Sequence, residues 1–264
     1  MSRDLEADGR AAALARYYDL DVMDISYDAE LYQQLAQEAG GPVLELGVGS
    51  GRLGIPLALA GHKVLGIDDD EAMLARARDT WQAVRGGIEL DRFSAIEADF
   101  MTFRSPQSFG LSFIAVNTFL LLEDDASRLT LLETMRRHLR LGGIAAVEID
   151  IPDEQELASY DGRLHLEWLR SDPESGDQVT KVICARYDSE AGTMELTQVY
   201  ESTSAHGGVV RRVAKTDTLH LIRPEQLLAL ARQAGFAEVQ LKGDHLPTPY
   251  GAGSHRAILV ARLV

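Results

Sequence analysis

The chain has 264 residues, with 41 acidic against 26 basic side chains, a net charge of −15 and 45% apolar residues. This length and apolar fraction suit one large α/β domain with a decoration, and the negative charge repels a phosphate backbone and argues against a nucleic-acid partner. No apolar run approaches the ~18 residues of a membrane span, the charged start Met1-Ser-Arg-Asp-Leu-Glu6 lacks a signal peptide's apolar stretch, and the single Cys184 permits no intrachain disulfide framework, so a cytoplasmic protein without a membrane partner is expected.

Residues 1–40 predict an N-terminal helical cap: a helical pattern at Ala11–Tyr17, a Tyr17-Tyr18-Asp19 turn and a second helix over Ala29–Ala39. Gly40-Gly-Pro42 punctuates the chain before an apolar strand, Val43–Leu46. Gly47, Gly49 and Gly51 follow, where glycine lets the backbone turn sharply and approach a ligand closely, and a helix is expected from near Arg52. The next apolar run, Val64–Asp68, ends on a carboxylate able to accept both hydrogen bonds of a ribose diol. A helix at Ala72–Val84, the stretch Ile96-Glu-Ala-Asp99-Phe100, a strand over Leu111–Asn117, a helix from Asp124 to Leu139, a turn at Leu141-Gly-Gly143 and a fifth strand, Ile144–Ile151, continue the alternation of a parallel sheet.

Residues 163–222 break that alternation. The segments His165–Arg170, Gln178–Asp188, Thr193–Thr203 and Val209–Leu221 are rich in Val, Thr and Tyr. Turns at Asp172-Pro-Glu-Ser-Gly176, Ser189-Glu-Ala-Gly192 and Ala205-His-Gly-Gly208 separate them, so they predict an inserted antiparallel sheet. It is expected to cover an acceptor or form a homodimer contact. A helix, Pro224–Gln233, then leads to two last strands within Phe236–Lys242 and His255–Arg262. The expected units are therefore 1–40, a core of 41–162 with 223–264, and the insert 163–222.

The glycine spacing separates two cofactors. A dinucleotide fingerprint needs G-x-G-x-x-G, and from Gly47 its last position is Arg52. The pattern present is E-x-G-x-G-x-G from Glu45, which resembles the first motif of class I S-adenosylmethionine-dependent methyltransferases. Ile96–Phe100, Leu111–Asn117 and the final pair of strands resemble that family's third motif, fourth strand and reversed terminal hairpin, and the insert is similar to the one in small-molecule members such as sugar-amine and glycine-type N-methyltransferases. The departure is Leu141, where the family commonly has proline before Gly-Gly.

This resemblance implies a Rossmann-like, doubly wound, mostly parallel seven-stranded sheet with a reversed C-terminal hairpin. It implies S-adenosylmethionine as cofactor, S-adenosylhomocysteine as product, and methyl transfer to a nitrogen or oxygen of a small-molecule acceptor. The cofactor residues implied are Gly47, Gly49, Gly51, Glu45 (otherwise a holder of the glycine loop), Asp68 for the ribose with Asp69 or Asp70 as alternatives, Met73 in the following helix, and Asp99 and Phe100 for the adenine. Asn117 stands either near the methionine end or as a turn cap, and one or two of Tyr18, Tyr27 and Tyr32 meet the methionine or the sulfonium, a cation that aromatic faces attract.

Glu148 and Asp150 share one face of the fifth strand by their two-residue spacing, so either can hold or deprotonate an acceptor, with His245 and Tyr250 on the loop before the last strand as further polar candidates. The seven histidines show neither H-x-x-x-H nor a His/Cys cluster, and no metal is expected. The competing readings are an NAD-dependent oxidoreductase and an S-adenosylmethionine-binding protein without turnover.

Overall fold

The structure is a computed structural model that describes residues 2–204, 208–246 and 248–264. Contacts divide these residues into two compact units, one of residues 25–151 with 222–264 and one of residues 1–24 with 152–221.

The first unit is an α/β layer structure. Its elements are α2 (Ala29–Ala39), β1 (Val43–Leu46), α3 (Gly54–Leu59), β2 (Val64–Asp68), α4 (Glu71–Val84), β3 (Phe93–Glu97), β4 (Phe109–Ile114), α5 (Asp125–His138), β5 (Leu139–Asp150), α7 (Pro224–Gln233), β10 (Glu238–Lys242) and β11 (Arg256–Arg262). The remaining elements belong to the second unit: α1 (Ser2–Val22), α6 (Glu154–Ser159), β6 (Asp161–Ser171), β7 (Gln178–Asp188), β8 (Thr193–Thr203) and β9 (Val209–His220).

The seven-stranded sheet runs β10-β11-β5-β4-β1-β2-β3. The pairs among β1 to β5 are parallel, whereas β11 is antiparallel to both β5 and β10, which makes the expected reversed hairpin. Parallel strands covered on both faces read as continuous apolar runs, and every residue of β1 and β4 is buried. The strand order reverses at β1 and β4, so a crevice opens outside their carboxyl ends, where open α/β sheets bind ligands.

In the second unit β6-β7-β8-β9 form an antiparallel sheet in that order. Helix α1 covers one of its faces, where Ala13, Tyr17 and Leu20 pack on Val179, Tyr200 and Val213. Tyr17 stacks on Tyr200 at 5.5 Å between centroids, Trp168 Nε1 donates to Asp21 at 2.8 Å, and Lys181 Nζ meets Asp21 at 2.5 Å and Glu167 at 2.8 Å.

Several expected boundaries move, each for a physical reason. Tyr17, Tyr18 and Asp19 are not a turn but part of α1, because burying Tyr17 against the sheet outweighs the local turn signal. The 1–40 cap therefore divides, α1 joining the antiparallel sheet and α2 the core, and the inserted unit begins with α6, whose Asp153 and Glu156 form a capping box. Helix α3 starts at Gly54, two residues after Arg52. The expected turn at Leu141–Gly143 is absorbed into β5 as an irregularity: pairing with β4 jumps from Phe109–Leu139 to Leu111–Ile144, and Gly142 takes up the positive φ. Of the turn at 205–208, residues 205–207 lie outside the described residues. Among the described residues no helix is long and apolar enough to cross a membrane.

Candidate functional site

At the carboxyl end of β1 the chain turns through Gly47, Gly49 and Gly51 with φ of +72°, +53° and +85°, a region that side chains other than glycine enter at a cost. The turn is tied to β2 by Asp68: Gly49 N donates to its Oδ2 at 2.8 Å, and Asp70 N donates to its Oδ1 at 3.0 Å. Each oxygen keeps a second lone pair. Burial pushes the Asp68 carboxyl up, while those two amides pull it down.

Its two neighbours have other fates. Asp69 is exposed, and Asp70 caps α4 by accepting from Ala72 N and Met73 N. Met73 sits half-buried in the first turn of that helix.

Glu45 lies beneath the start of α3. It is 4% exposed, its Oε2 has no hydrogen-bond partner, and a Cβ on Gly54 would come within 2.5 Å of that oxygen. Burial pushes its carboxyl well above the usual range, Arg52 opposes that, and the Gly54 amide adds a smaller pull. Glycine at 54 is thus demanded by a buried acid nine residues upstream in the same βα unit.

Past β3, Asp99 accepts from Met101 N at 2.7 Å and Thr102 Oγ1 at 3.2 Å, so it caps its own loop, with Phe100 half-buried beside it. Past β4, Val116 and Asn117 both adopt positive φ, +51° and +59°. A β-branched residue there is strained by about 1–3 kcal/mol, and such strain gathers at functional sites. Asn117 is bound twice to the end of β5: its Nδ2 donates to Asp150 Oδ2 at 2.7 Å and its Oδ1 accepts from Asp150 N at 2.7 Å.

Glu148, one turn of the pleat earlier on β5, is the hub of a buried polar cluster. Its Oε2 accepts from Tyr32 Oη at 2.9 Å; its Oε1 lies 2.9 Å from His245 Nε2 and accepts from Arg256 Nη1 at 2.8 Å. The Glu148 and His245 side chains are 4% and 5% exposed. Burial, then the Glu148 charge, raise the Tyr32 phenol well above its ordinary value. For Arg256 burial acts downward, but Glu148 and Asp150 outweigh it and raise the guanidinium. Tyr27 closes the group, its ring 5.2 Å from His245 and 5.8 Å from the Arg256 guanidinium. Beside it Asp28, 2% exposed, holds Arg52 in a bidentate pair at 2.7 and 2.8 Å.

The sequence candidates thus sort by location. The glycine turn, Glu45, Asp68, Met73, Asp99, Phe100, Asn117, Tyr27, Tyr32, Glu148, Asp150 and His245 all belong to the core unit, at or just past the carboxyl ends of its strands or on the segments packed there. Tyr18 belongs to the other unit, on α1. Glu148 is fully engaged by three donors, which leaves Asp150, 50% exposed, as the acid of that pair facing solvent. Asp28, Glu148 and His245 bring three potential ligand atoms within 4.8 Å of one another, a convergence that residue spacing does not reveal. Arg52 and Arg256 already neutralise those two carboxylates, which opposes a cation there. Arg256 and Asp28 escaped the sequence reading because their partners are remote in sequence.

These residues fit an adenosine-bearing cofactor: glycines in the left-handed region beside an acid with two spare lone pairs, and a half-buried aromatic past the neighbouring strand. Comparison with known proteins agrees. Residues 43–143 match a family model described as a methyltransferase domain. The chain is 28% identical over 231 residues, 84% of this chain and 82% of the relative, to a cypemycin N-terminal methyltransferase from a Streptomyces species. It shares its fold with the sugar N-methyltransferase KedS8 from a Streptoalloteichus species (19% identity, 93% and 92% of the two chains, TM-score 0.73). The same holds for the amino pentose methyltransferase CalS10 from Micromonospora echinaspora, solved with S-adenosylmethionine bound (19% identity, 94% and 96%, TM-score 0.69). Residues 43–143 thus carry a methyltransferase domain, and with glycine turn, Asp68, reversed hairpin and antiparallel insert in place the chain is similar in fold to S-adenosylmethionine-dependent methyltransferases.

Proposed function

We propose that this methyltransferase carries a methyl group from S-adenosylmethionine to a nitrogen or oxygen of a small molecule, an amine being the better fit. The observation that carries the reading is Asp150: a half-exposed carboxylate at the end of β5, held in place by both ends of the Asn117 amide. An acid so placed attracts an ammonium, orients its nitrogen and takes up the proton that must leave before the lone pair can react. The names of two relatives, the sugar N-methyltransferase KedS8 and the cypemycin N-terminal methyltransferase, support the nitrogen.

When bound, S-adenosylmethionine supplies a methyl carbon on a sulfonium. The chain's own part is positioning: Gly47, Gly49 and Gly51 admit the cofactor close to the backbone, Asp68 takes the ribose hydroxyls, and Asp99 with Phe100 takes the adenine. Tyr27, 57% exposed and backed by Arg256 and His245, presents an aromatic face at the same end of the sheet.

The test is release of S-adenosylhomocysteine from S-adenosylmethionine with panels of small amines and phenols, beside calorimetric titration with both nucleosides and with NAD. Turnover on an amine together with selective binding of the sulfur nucleosides is expected. Binding without turnover on any panel member would reduce the protein to a sensor of the cofactor, and NAD binding alone would overturn the reading.

A further inference from the structure

Helix α2 forgoes a cap that its sequence offers. Asp28 stands at the N-cap position, where an aspartate commonly accepts from the first helix amides, yet its side chain makes no such bond. The buried carboxylate instead holds Arg52 through both oxygens. Arg52 directly follows Gly51, so this pair ties the start of α2 to the end of the glycine turn. One helical turn on, where Tyr32 N donates to Asp28 O, the Tyr32 hydroxyl donates to Glu148 Oε2 at 2.9 Å. The Tyr32 ring lies 4.5 Å from that of Phe113 on β4, the strand that separates β1 from β5. A single turn of α2 therefore reaches from the glycine turn after β1, across β4, to β5.

Stability is a poor account of this brace. A buried ion pair repays little more than its own desolvation, and Glu148 already has Arg256 and His245 as partners without the phenol. What such bonds supply is one geometry. The methyl donor rides on the glycine turn, and the amine is held at Asp150, two residues beyond Glu148 on the same face of β5. Arg256 carries the tie onward, 2.8 Å from Glu148 and 3.6 Å from Asp150. A misplacement of about 1 Å between reacting groups costs on the order of a hundredfold in rate. We propose that Asp28 and Tyr32 are positioning residues for methyl transfer: the first turn of α2 is a strut that sets the separation between the glycine turn and the Asp150 carboxylate. This role rests on Asp150 as the holder of the amine.

Steady-state kinetics on the amine that the panel identifies tests the strut, beside calorimetry with S-adenosylhomocysteine. Tyr32→Phe keeps the ring on Phe113 and leaves Glu148 with Arg256 and His245, so its circular dichroism should be unchanged. Its kcat should fall about 10- to 100-fold while KM for the amine and Kd for S-adenosylhomocysteine stay within about twofold, a split that a merely structural role would not produce. Asp28→Asn keeps the size of the side chain and should give the same split. Because both residues act through one strut, the double variant should lose little more than the worse single variant. If Asp28→Asn fails to fold, Tyr32→Phe alone decides. An unchanged kcat in folded Tyr32→Phe overturns the strut, as does a rise in KM at constant kcat, or single losses that multiply. A wild-type protein that turns over no amine removes the role of Asp150 first, and the strut falls with it.

Discussion

Both units bury charge, the antiparallel one at Asp172 beside Arg16 as well as at Lys181, but they differ in how open the partners are. In the core, charge is taken inside: Glu148, Glu45 and Asp28 are each 4% exposed or less, and two of the three are met by arginine. In the antiparallel unit the buried cation Lys181 is answered by Asp21 and Glu167, which are 21% and 38% exposed. A sheet walled on both faces has to satisfy its ions internally, whereas a sheet walled on one face leaves water as a partner. The lesson is that a polar network's cost of disruption follows the access of its weakest-buried member, not the number of its bonds.

The largest effect should come from Glu148. Glu148→Ala leaves Arg256, Tyr32 and His245 without their acceptor in a buried place, and removing one member of such a group costs about 3–5 kcal/mol. Urea denaturation measures it. A loss below about 1 kcal/mol would break the contrast between the units.

Asp68 comes next, on binding. Asp68→Ala removes the acceptor of the Gly49 and Asp70 amides and, in the proposed reading, of the ribose hydroxyls, and should weaken S-adenosylhomocysteine by about 1.5–3 kcal/mol, roughly 10- to 150-fold. Calorimetry reads it directly. Unchanged affinity in a folded variant would transfer the ribose to Asp69, since Asp70 is occupied as the cap of α4.

The smallest effect belongs to the antiparallel unit. Lys181→Met keeps the packing on Tyr200 and leaves Asp21 and Glu167 to water, so about 1 kcal/mol is expected in the same denaturation experiment. A cost matching that of Glu148→Ala would show that this cluster, too, is sealed from solvent.

What the sequence made legible is what is local. The glycine turn, Asp68 and the α/β alternation are spelled by neighbours along the chain, and strands such as β7 and β8 are bounded by their turns as expected. The Glu148 cluster is not, because Tyr32 and His245 reach Glu148 across 116 and 97 residues. The ends of α1 were missed for a related reason. Tyr17 looks like a turn residue until Tyr200 is beside it, and no window along the chain contains both.

That same arrangement sets a schedule for the newborn chain. Helix α1 leaves the ribosome well before its sheet: Lys181, which holds Asp21, follows 160 residues later. At about 5–20 residues per second, the helix waits roughly 8 to 30 seconds for its sheet. During that interval the whole core from α2 to β5 emerges and has its own strands to pair. Helix α1 is therefore made long before the sheet it packs on, and its apolar face stays uncovered until that sheet emerges.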